Sequence, residues 1–426
     1  MLKRRAIIFL AIFTFAVSIY INACGACTIG VASGRATSDQ RPMIWKTRDT
    51  SKKNNAVIYN TSFKYKFISV VNAGSTAVWQ GLNERGFAIL NSLSKDISGD
   101  SSSGMGNGSF MRHALGNCVT VGDFERLLEE TNDSGRKTRA NFGVLDATGA
   151  VAIFEATDNK YWKFDANDPN VAPKGYLLRS NFAFNGSGKS GIEGLYSAER
   201  YQRTNTLVNG FYSAGNLNYK SILRTQMRDF SDEACKPISV PFSGKFDSDS
   251  PHGYIKCDKS ICRSSSVSAS VIVGVLPLES ARLSTMWTIL GQPACSIAVP
   301  YWSVGETPAE ARGPKTARLC AVALKIKSLL FDYKDNKYID SYKLRNGRAG
   351  GLWAMTFPAE DRIFEQAGRK LKKWRRDGPN ISEMVATESA LAADAMSVLE
   401  RAYVELKILE LDEEKSAEPI LELIKN

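Results

Sequence analysis

The sequence predicts an α+β chain in which antiparallel sheets pack face to face with helices outside them. Three observations carry this expectation. Short alternating or apolar runs are punctuated by turn residues, as in Asn141 to Asp146, Val151 to Thr157 and Lys160 to Asp165 around Ala147-Thr148-Gly149 and Asp158-Asn159. Helical periodicity appears between and after such sets, which places helices on the outside of sheets. The composition, 43% hydrophobic and 10% aromatic over 426 residues, supports a large core, and no linker-like stretch, repeat or low-complexity tract divides it.

Taken in order, the chain begins with a basic cluster, Lys3, Arg4 and Arg5, followed by the sixteen apolar residues Ala6 to Ile21. A membrane helix needs roughly 20, so the expectation is a cleaved export signal over residues 1–26. The sequence Ala23-Cys24-Gly25-Ala26-Cys27 offers a signal peptidase the small residues it requires at Cys24 and Ala26. Residues 27–426 then form one domain, with 359–426 as its helical C-terminal part. The Ser- and Gly-rich stretch Ser98 to Gly108 reads as a mobile loop. Helices are expected at Val121 to Glu130, Ala198 to Val208 and Tyr219 to Phe230. Further strands are expected at Ser266 to Leu276, Ser296 to Tyr301 and Ala321 to Phe331. Two long helices separated by Gly378-Pro379 close the chain.

Cutting before Cys27 would leave a thiol and a free α-amine on one residue. Such a terminus holds nucleophile and base together, because an α-amine titrates near 7.7–8 and is partly neutral at physiological pH. The competing reading is a lipobox, Ile21-Asn22-Ala23-Cys24, which would lipidate Cys24 and leave Cys27 inside the chain. Only two histidines are present, His113 and His252, and neither sits in a recognisable catalytic setting. There is no H-E-x-x-H and no paired C-x-x-C, so neither a metal nor another cofactor is implied. The net charge of +11 invites a nucleic-acid partner. However, the densest basic run, Arg369 to Arg376, continues a helix whose apolar face is Ile363, Phe364, Ala367, Leu371 and Trp374, so the basic residues read as a solvated face. The only membrane contact expected is a lipid anchor at Cys24. Of eight cysteines, six remain once Cys24 and Cys27 are set aside, enough for three disulfides in an exported chain, with Cys257 and Cys262 able to staple a tight loop.

Four stretches then form a recognisable order: Cys27-Thr28 with Ala36-Thr37-Ser38-Asp39 and Lys46-Thr47-Arg48-Asp49; Gly81-Leu82-Asn83-Glu84-Arg85-Gly86 with Asn91; Arg179-Ser180-Asn181-Phe182; and Ser197-Ala198-Glu199-Arg200-Tyr201. Thr285-Met286-Trp287 with Leu290-Gly291 extends the series more faintly. Together they resemble the linear-amide C–N hydrolases of the N-terminal-nucleophile superfamily. That group includes choloylglycine hydrolases, penicillin V acylase, acid-ceramidase-like amidases, the penicillin acyltransferase family and certain dipeptidases, whose opening C-T, A-T-x-D and R-N-x-D fits at the same spacing.

The resemblance implies a four-layer αββα sandwich and hydrolysis of a linear non-peptide amide through a thioester on Cys27. It implies that Asp49 orients the terminal amine, Arg200 approaches the thiol, Asn181 donates to the oxyanion and Asn91 flanks the scissile amide. Lys46 stands where the family has arginine, with Arg48 beside Asp49, and Lys lacks the planar fork. Asn83, in a natural hairpin turn, and His113, within a helical stretch, read as structural. The alternatives are a dipeptidase, acyl transfer to an amine, and a non-catalytic ligand-binding lipoprotein. Specificity is expected from three loops, Lys52 to Lys64, Ser98 to Gly108 and Asn185 to Gly194, with Phe182 and Phe184 lining a slot for a modest acyl chain. A small N-acyl amide, such as an N-acyl amino acid, fits this better than a bile salt.

Overall fold

A computed structural model describes residues 26–97, 99, 103–185, 191–231, 233–334, 336–346 and 350–424, without the side chains of 411–424. The signal segment with Cys24, part of the Ser/Gly loop and the middle of Asn185 to Gly194 lie outside the described residues.

Two antiparallel sheets are stacked. The first contains β1 (Ala26–Ala32), β2 (Met43–Asp49), β10 (Tyr176–Arg179), β12 (Ser266–Val273), β13 (Thr285–Leu290) and β14 (Val299–Tyr301), in the order β10-β1-β2-β12-β13-β14. The second is a seven-stranded meander of β3 (Asn55–Asn60), β4 (Phe67–Asn72), β5 (Val78–Asn83), β6 (Ala88–Leu93), β7 (Ala140–Leu145), β8 (Val151–Ala156) and β9 (Tyr161–Asp165), each beside the next. β11 (Tyr254–Lys256) pairs separately with β15 (Tyr338–Asp340). Helices α1 (Asn107–Asn117) and α2 (Val121–Glu130) cover the second sheet, where Phe124 meets Phe87, Phe110, Phe142 and Phe154 at ring separations of 5.3–6.2 Å. The other helices are α3 (Ala198–Ser213), α4 (Tyr219–Arg224), α5 (Arg318–Leu330), α6 (Ser341–Leu344), α7 (Gly351–Asp377) and α8 (Ile381–Ile424). α4, α5, α7 and α8 contact the first sheet, and Trp287 on β13 stacks on Tyr219 at 4.9 Å with Phe364 edge-on at 5.0 Å. The result is an αββα sandwich.

Most elements follow their local chemistry. Thr120 and Asp123 form a reciprocal capping box at the start of α2. Asn83 Oδ1 accepts the N–H groups of Arg85 and Phe87, while its Nδ2 donates to Leu115 and Cys118 carbonyls, so it pins the β5–β6 hairpin to α1. Gly86 supplies the positive φ of 83° that this turn needs. The apolar face expected on α7 is buried throughout, and its basic side is solvated, with Lys370 and Lys373 paired to Glu383.

Five expectations are corrected. Ala321 to Phe331 is helical, within α5. Its buried residues Leu319, Val322, Ala323, Ile326, Leu329 and Leu330 repeat every three to four positions, a period that the strand-like alternation Leu324-Lys325-Ile326-Lys327 conceals. The expected strand from Ser296 shrinks to β14 behind a 3₁₀ turn at Pro293–Cys295, and the helix expected to reach Phe230 breaks after Arg224 into another such turn. Lys52 to Lys64 is not a loop, because it contains β3. The seven described cysteines are all free thiols. Cys257 Sγ donates to the Lys337 carbonyl and Cys262 Sγ accepts from Gln292, both deep in apolar surroundings, so the even count reflected packing rather than bridges. Among the described residues no helix is long and apolar enough to cross a membrane.

α7 is fixed to the first sheet by a buried carboxylate. Glu360 takes two hydrogen bonds from Arg228, at 2.8 and 3.0 Å, and one from the Ala298 N–H at 2.8 Å. Burial pushes the Glu360 carboxyl up, but Arg228 outweighs it and holds the group below its usual range. Glu360→Ala would strand the Arg228 charge and should cost about 3–5 kcal/mol of unfolding free energy in urea titrations at neutral pH. Because the folded-state value is depressed, this contribution is present above the unfolded carboxyl's value near 4.3. It should fade as pH falls below that, leaving wild type and variant closer in acid.

Candidate active site

The site is built on the first two strands. β1 and β2 pair so that Cys27 lies opposite Arg48 and Ala26 opposite Asp49. Directly opposed residues share a face, so the Cys27 thiol, Arg48 and Lys46 point into the space between the sheets, while Asp49 and Thr28 face the helical side. Cys27, Lys46, Arg48 and Asp49 are all buried. Gly30 lets β1 pass close under Trp45, since a Cβ there would come within 2.1 Å of the indole.

Between the sheets, Lys46 Nζ donates to the Trp79 carbonyl at 2.9 Å and to Asn91 Oδ1 at 2.8 Å. The Arg48 fork is held by Asn55 Oδ1 at 2.5 Å and Asn72 Oδ1 at 2.8 Å, and lies 4.7 Å over the Trp79 ring. Burial lowers Lys46 to about 8 and Arg48 to about 10; in both, the nearby Cys27 pulls the other way, because its thiolate would favour their charged forms. The Lys that replaces the family's arginine therefore acts as a point charge, and the planar fork sits two residues later.

On the other side, Asn181, just past β10, accepts the Cys27 N–H through Oδ1 at 2.8 Å and donates through Nδ2 to the Leu93 carbonyl at 2.7 Å. Arg200, in the first turn of α3, donates to Asn181 Oδ1, the Cys27 carbonyl and Thr28 Oγ1, at 2.8, 2.9 and 2.9 Å, and stands 4.0 Å from Asp49. The turn into α3 is held in an uncommon conformation. Ser197 has φ 72°, and its Oγ accepts the Asn181 N–H and donates to Ser180 Oγ. Glu155, paired with Arg179 at 2.7 Å, takes the Phe184 and Asn185 N–H groups and so fixes the segment after Asn181.

Asp49 is raised by burial and lowered by Arg263, Arg200, Ser266 and Lys46, with the first of these effects prevailing. Ser266 Oγ donates to its Oδ1 at 2.6 Å, and Arg263 Nε approaches Oδ2 to 3.2 Å. A cleft of about 520 Å³ opens at Ala26 and Asp49 and runs between the segment after β2, the Arg263 to Ser265 turn and α5.

Cys27, Lys46, Arg48, Asp49, Asn91, Asn181 and Arg200 therefore come together. Phe182 and Phe184 do not line the cleft: Phe182 is buried against Tyr201 and Phe184, with rings 5.4 and 5.6 Å apart, and Phe184 stands partly exposed beside Arg179. Sequence reasoning missed Arg263, Ser266 and Ser197. The first two lie more than 200 residues from Asp49 and reach it only through the β2–β12 pairing, which no local pattern discloses. Among the described residues, no group of three or more His, Cys, Asp or Glu side chains is placed to hold a metal.

Residues 36–247 match the family described as acyl-coenzyme A:6-aminopenicillanic acid acyl-transferase, a span that includes Asp49, Asn91, Asn181 and Arg200 but starts after Cys27. Over that span, just under half of its length, the chain is similar to this family, and its sequence motifs resemble those of the linear-amide hydrolases of the N-terminal-nucleophile superfamily. Solved structures of this hydrolase group resemble it distantly. Penicillin V acylase from Agrobacterium tumefaciens has 16% identity and a TM-score of 0.39 over 65% of this chain and 85% of its own. The Caenorhabditis elegans ortholog of N-acylethanolamine-hydrolyzing acid amidase has 14% and 0.40 over 62% and 99%. A mutant conjugated bile acid hydrolase from Clostridium perfringens has 14% and 0.37 over 62% and 89%. Comparison with curated proteins gives no significant match.

The cations around Cys27 should govern its reactivity. In the chain that begins at Cys27, Lys46→Met should slow alkylation of Cys27 by iodoacetamide at pH 7 several-fold, because less thiolate is supported. The gap should close as pH rises past about 8, where Lys46 itself loses its proton. A rate ratio that stays constant from pH 7 to 10 would show that Lys46 does not act through its charge.

Proposed function

We propose that this chain is an exported cysteine amidohydrolase that cleaves a linear N-acyl amide through a thioester on Cys27, exposed as the N-terminus by removal of residues 1–26. The observation that carries this reading is the hydrogen bond from the Cys27 nitrogen to Asn181 Oδ1, itself braced by Arg200. The nitrogen that would become the α-amine is already held by an acceptor that orients it, within a site otherwise short of bases.

In the mechanism, the α-amine takes the thiol proton as sulfur attacks the substrate carbonyl carbon, giving a tetrahedral oxyanion. Lys46, Arg48 and Arg200 supply positive charge around the attacking sulfur. A preorganised donor aimed at the oxyanion is worth about 3 kcal/mol. Asn181 Nδ2 donates one N–H to the Leu93 carbonyl and carries a second N–H that would turn to the oxyanion. The intermediate collapses as the ammonium returns its proton to the leaving amine, and water then enters by the same route and hydrolyses the thioester. Asp49, on the strand opposite the 26–27 bond, would accept from the free ammonium and keep it in place. The description of the matched family favours one second reading, acyl transfer to an amine in place of water. Dipeptide cleavage or ligand binding by a Cys24-lipidated chain would be revealed by the same assays.

Cys27→Ala should abolish turnover without loss of fold, and Cys27→Ser should be slower. A chain that retains Ala26 should be inactive, because an acylated nitrogen cannot take the proton. Full activity in the Ala26-retaining chain would remove the amine from the mechanism. Ser266→Ala should shift the acid limb of the kcat/KM profile upward. The lost hydroxyl stabilised the Asp49 carboxylate, so protonation would set in at higher pH as the solution is acidified. An unmoved limb in an active variant would show that Asp49 does not control it.

A further inference from the structure

We infer that the cleft at Ala26 and Asp49 is the subsite for the leaving amine half of the substrate, and that its Lys53–Lys327 wall selects an amine half bearing a carboxylate. This rests on the amidase reading above and names its substrate class as N-acyl amino acids. Of the loops suspected from the sequence, Lys52 to Lys64 contributes Lys53, and most of the rest of the cleft comes from Thr50, Ser51, Tyr196, the Arg263 to Ser265 turn and α5.

The side of the site follows from proton transfer. The amine that departs must receive its proton from the Cys27 nitrogen, so the leaving nitrogen lies next to that atom and its substituents continue past it. The cleft begins at Ala26, the residue attached to that nitrogen, and removal of Ala26 extends it to the amine itself. The acyl half lies on the other side of the carbonyl carbon.

The chemistry of the cleft is cationic. Lys53, Lys327 and Arg263 line it against one carboxylate, Asp49. The Lys53 ammonium is exposed and has no acidic partner among the described residues, while its backbone carbonyl is fixed by Asn55 Nδ2 and the Cys320 thiol. Lys327 is buried on α5 and donates to the Ser264 carbonyl, a neutral acceptor that leaves its charge uncompensated. Burial and the neighbouring Lys53 both lower Lys327, so two like charges face one opening. Arg263 Nη2 is buried without a hydrogen-bond partner. A carboxylate in the cleft would relieve the repulsion and accept charge-assisted hydrogen bonds, which a neutral alcohol or amide cannot do equally. Ser51, Ser264 and Ser328 add hydroxyl-bearing residues to a mixed lining that also includes Tyr196 and Leu324, and a steroid or long alkyl amine half would leave the cationic groups unmet.

The test uses the mature chain and a matched pair of substrates, an N-acyl amino acid and its C-terminal carboxamide. The wild type should favour the carboxylate by about tenfold or more in kcat/KM at low salt, with the preference shrinking as ionic strength rises. Lys53→Glu should remove most of that preference, and so should Lys327→Gln. Lys53 is exposed, so its variant remains informative if the Lys327 variant fails to fold. Equal rates on the two substrates, or an undiminished preference in a folded Lys53→Glu chain, overturns the subsite. Calorimetric titration of Cys27→Ala with the same pair separates the two claims. Binding of the acid alone, in a chain whose wild type turns over neither substrate, keeps the subsite and overturns the amidase reading. Turnover of both substrates without a binding difference does the reverse.

Discussion

The pairing of β1 with β2 is the constraint on which the rest of the molecule depends. The register sets Cys27 against Arg48 and Ala26 against Asp49. A slip of one residue would set Cys27 against Asp49 or Thr47 and put thiol and carboxylate on the same face, because side chains alternate along a strand. Neighbouring features hold the register: Ile29 and Val31 are fully buried in the core, Gly30 clears Trp45, and β12 closes the other edge of β2 with Ser266 against Asp49. The sandwich thereby serves as a rigid frame for Cys27.

That frame carries an electrostatic imbalance. Lys46, Arg48, Arg200 and Arg263 surround a single carboxylate, Asp49, and the first three are fully or almost fully removed from water. Burying cations without counter-charges is unfavourable, which is why Lys46, Arg48 and Arg200 all lose protons more readily than usual. Neutral acceptors, the side chains of Asn55, Asn72, Asn91 and Asn181 and the Trp79 carbonyl, offset part of the penalty without cancelling the charge. In the proposed mechanism the surplus would be matched by an anion that forms during reaction, a thiolate or an oxyanion. A structural salt-bridge network would have balanced itself.

The fold was legible where periodicity was unambiguous. The meander from β7 to β9, α2, and the split between α7 and α8 at Gly378 follow directly from alternation, capping residues and a helix-ending glycine. The run from Val322 to Leu330 misled because Leu324-Lys325-Ile326-Lys327 alternates like a half-buried strand within a short apolar stretch. The cysteine count misled because a buried thiol is an ordinary core group. For the site, motif order picked out seven residues that lie together in the structure, but it could not show what each would touch. Asn181, expected to donate to the oxyanion, also accepts from the Cys27 nitrogen through Oδ1, a contact that motif order does not disclose. Phe182 and Phe184, expected to line a slot, pack on Tyr201. Arg263 and Ser266 were silent, since only strand pairing across more than 200 residues brings them to Asp49.

The central claim is that the sulfur and nitrogen of one residue, freed by cleavage before Cys27, perform the chemistry. The most direct measurement is intact and peptide mass spectrometry of the mature protein, quenched in acid during turnover of an N-acyl amide. The account predicts a chain beginning at Cys27 and carrying the acyl group as a thioester on that first residue. An active protein that begins elsewhere, or an acyl group found on any other side chain, would contradict it.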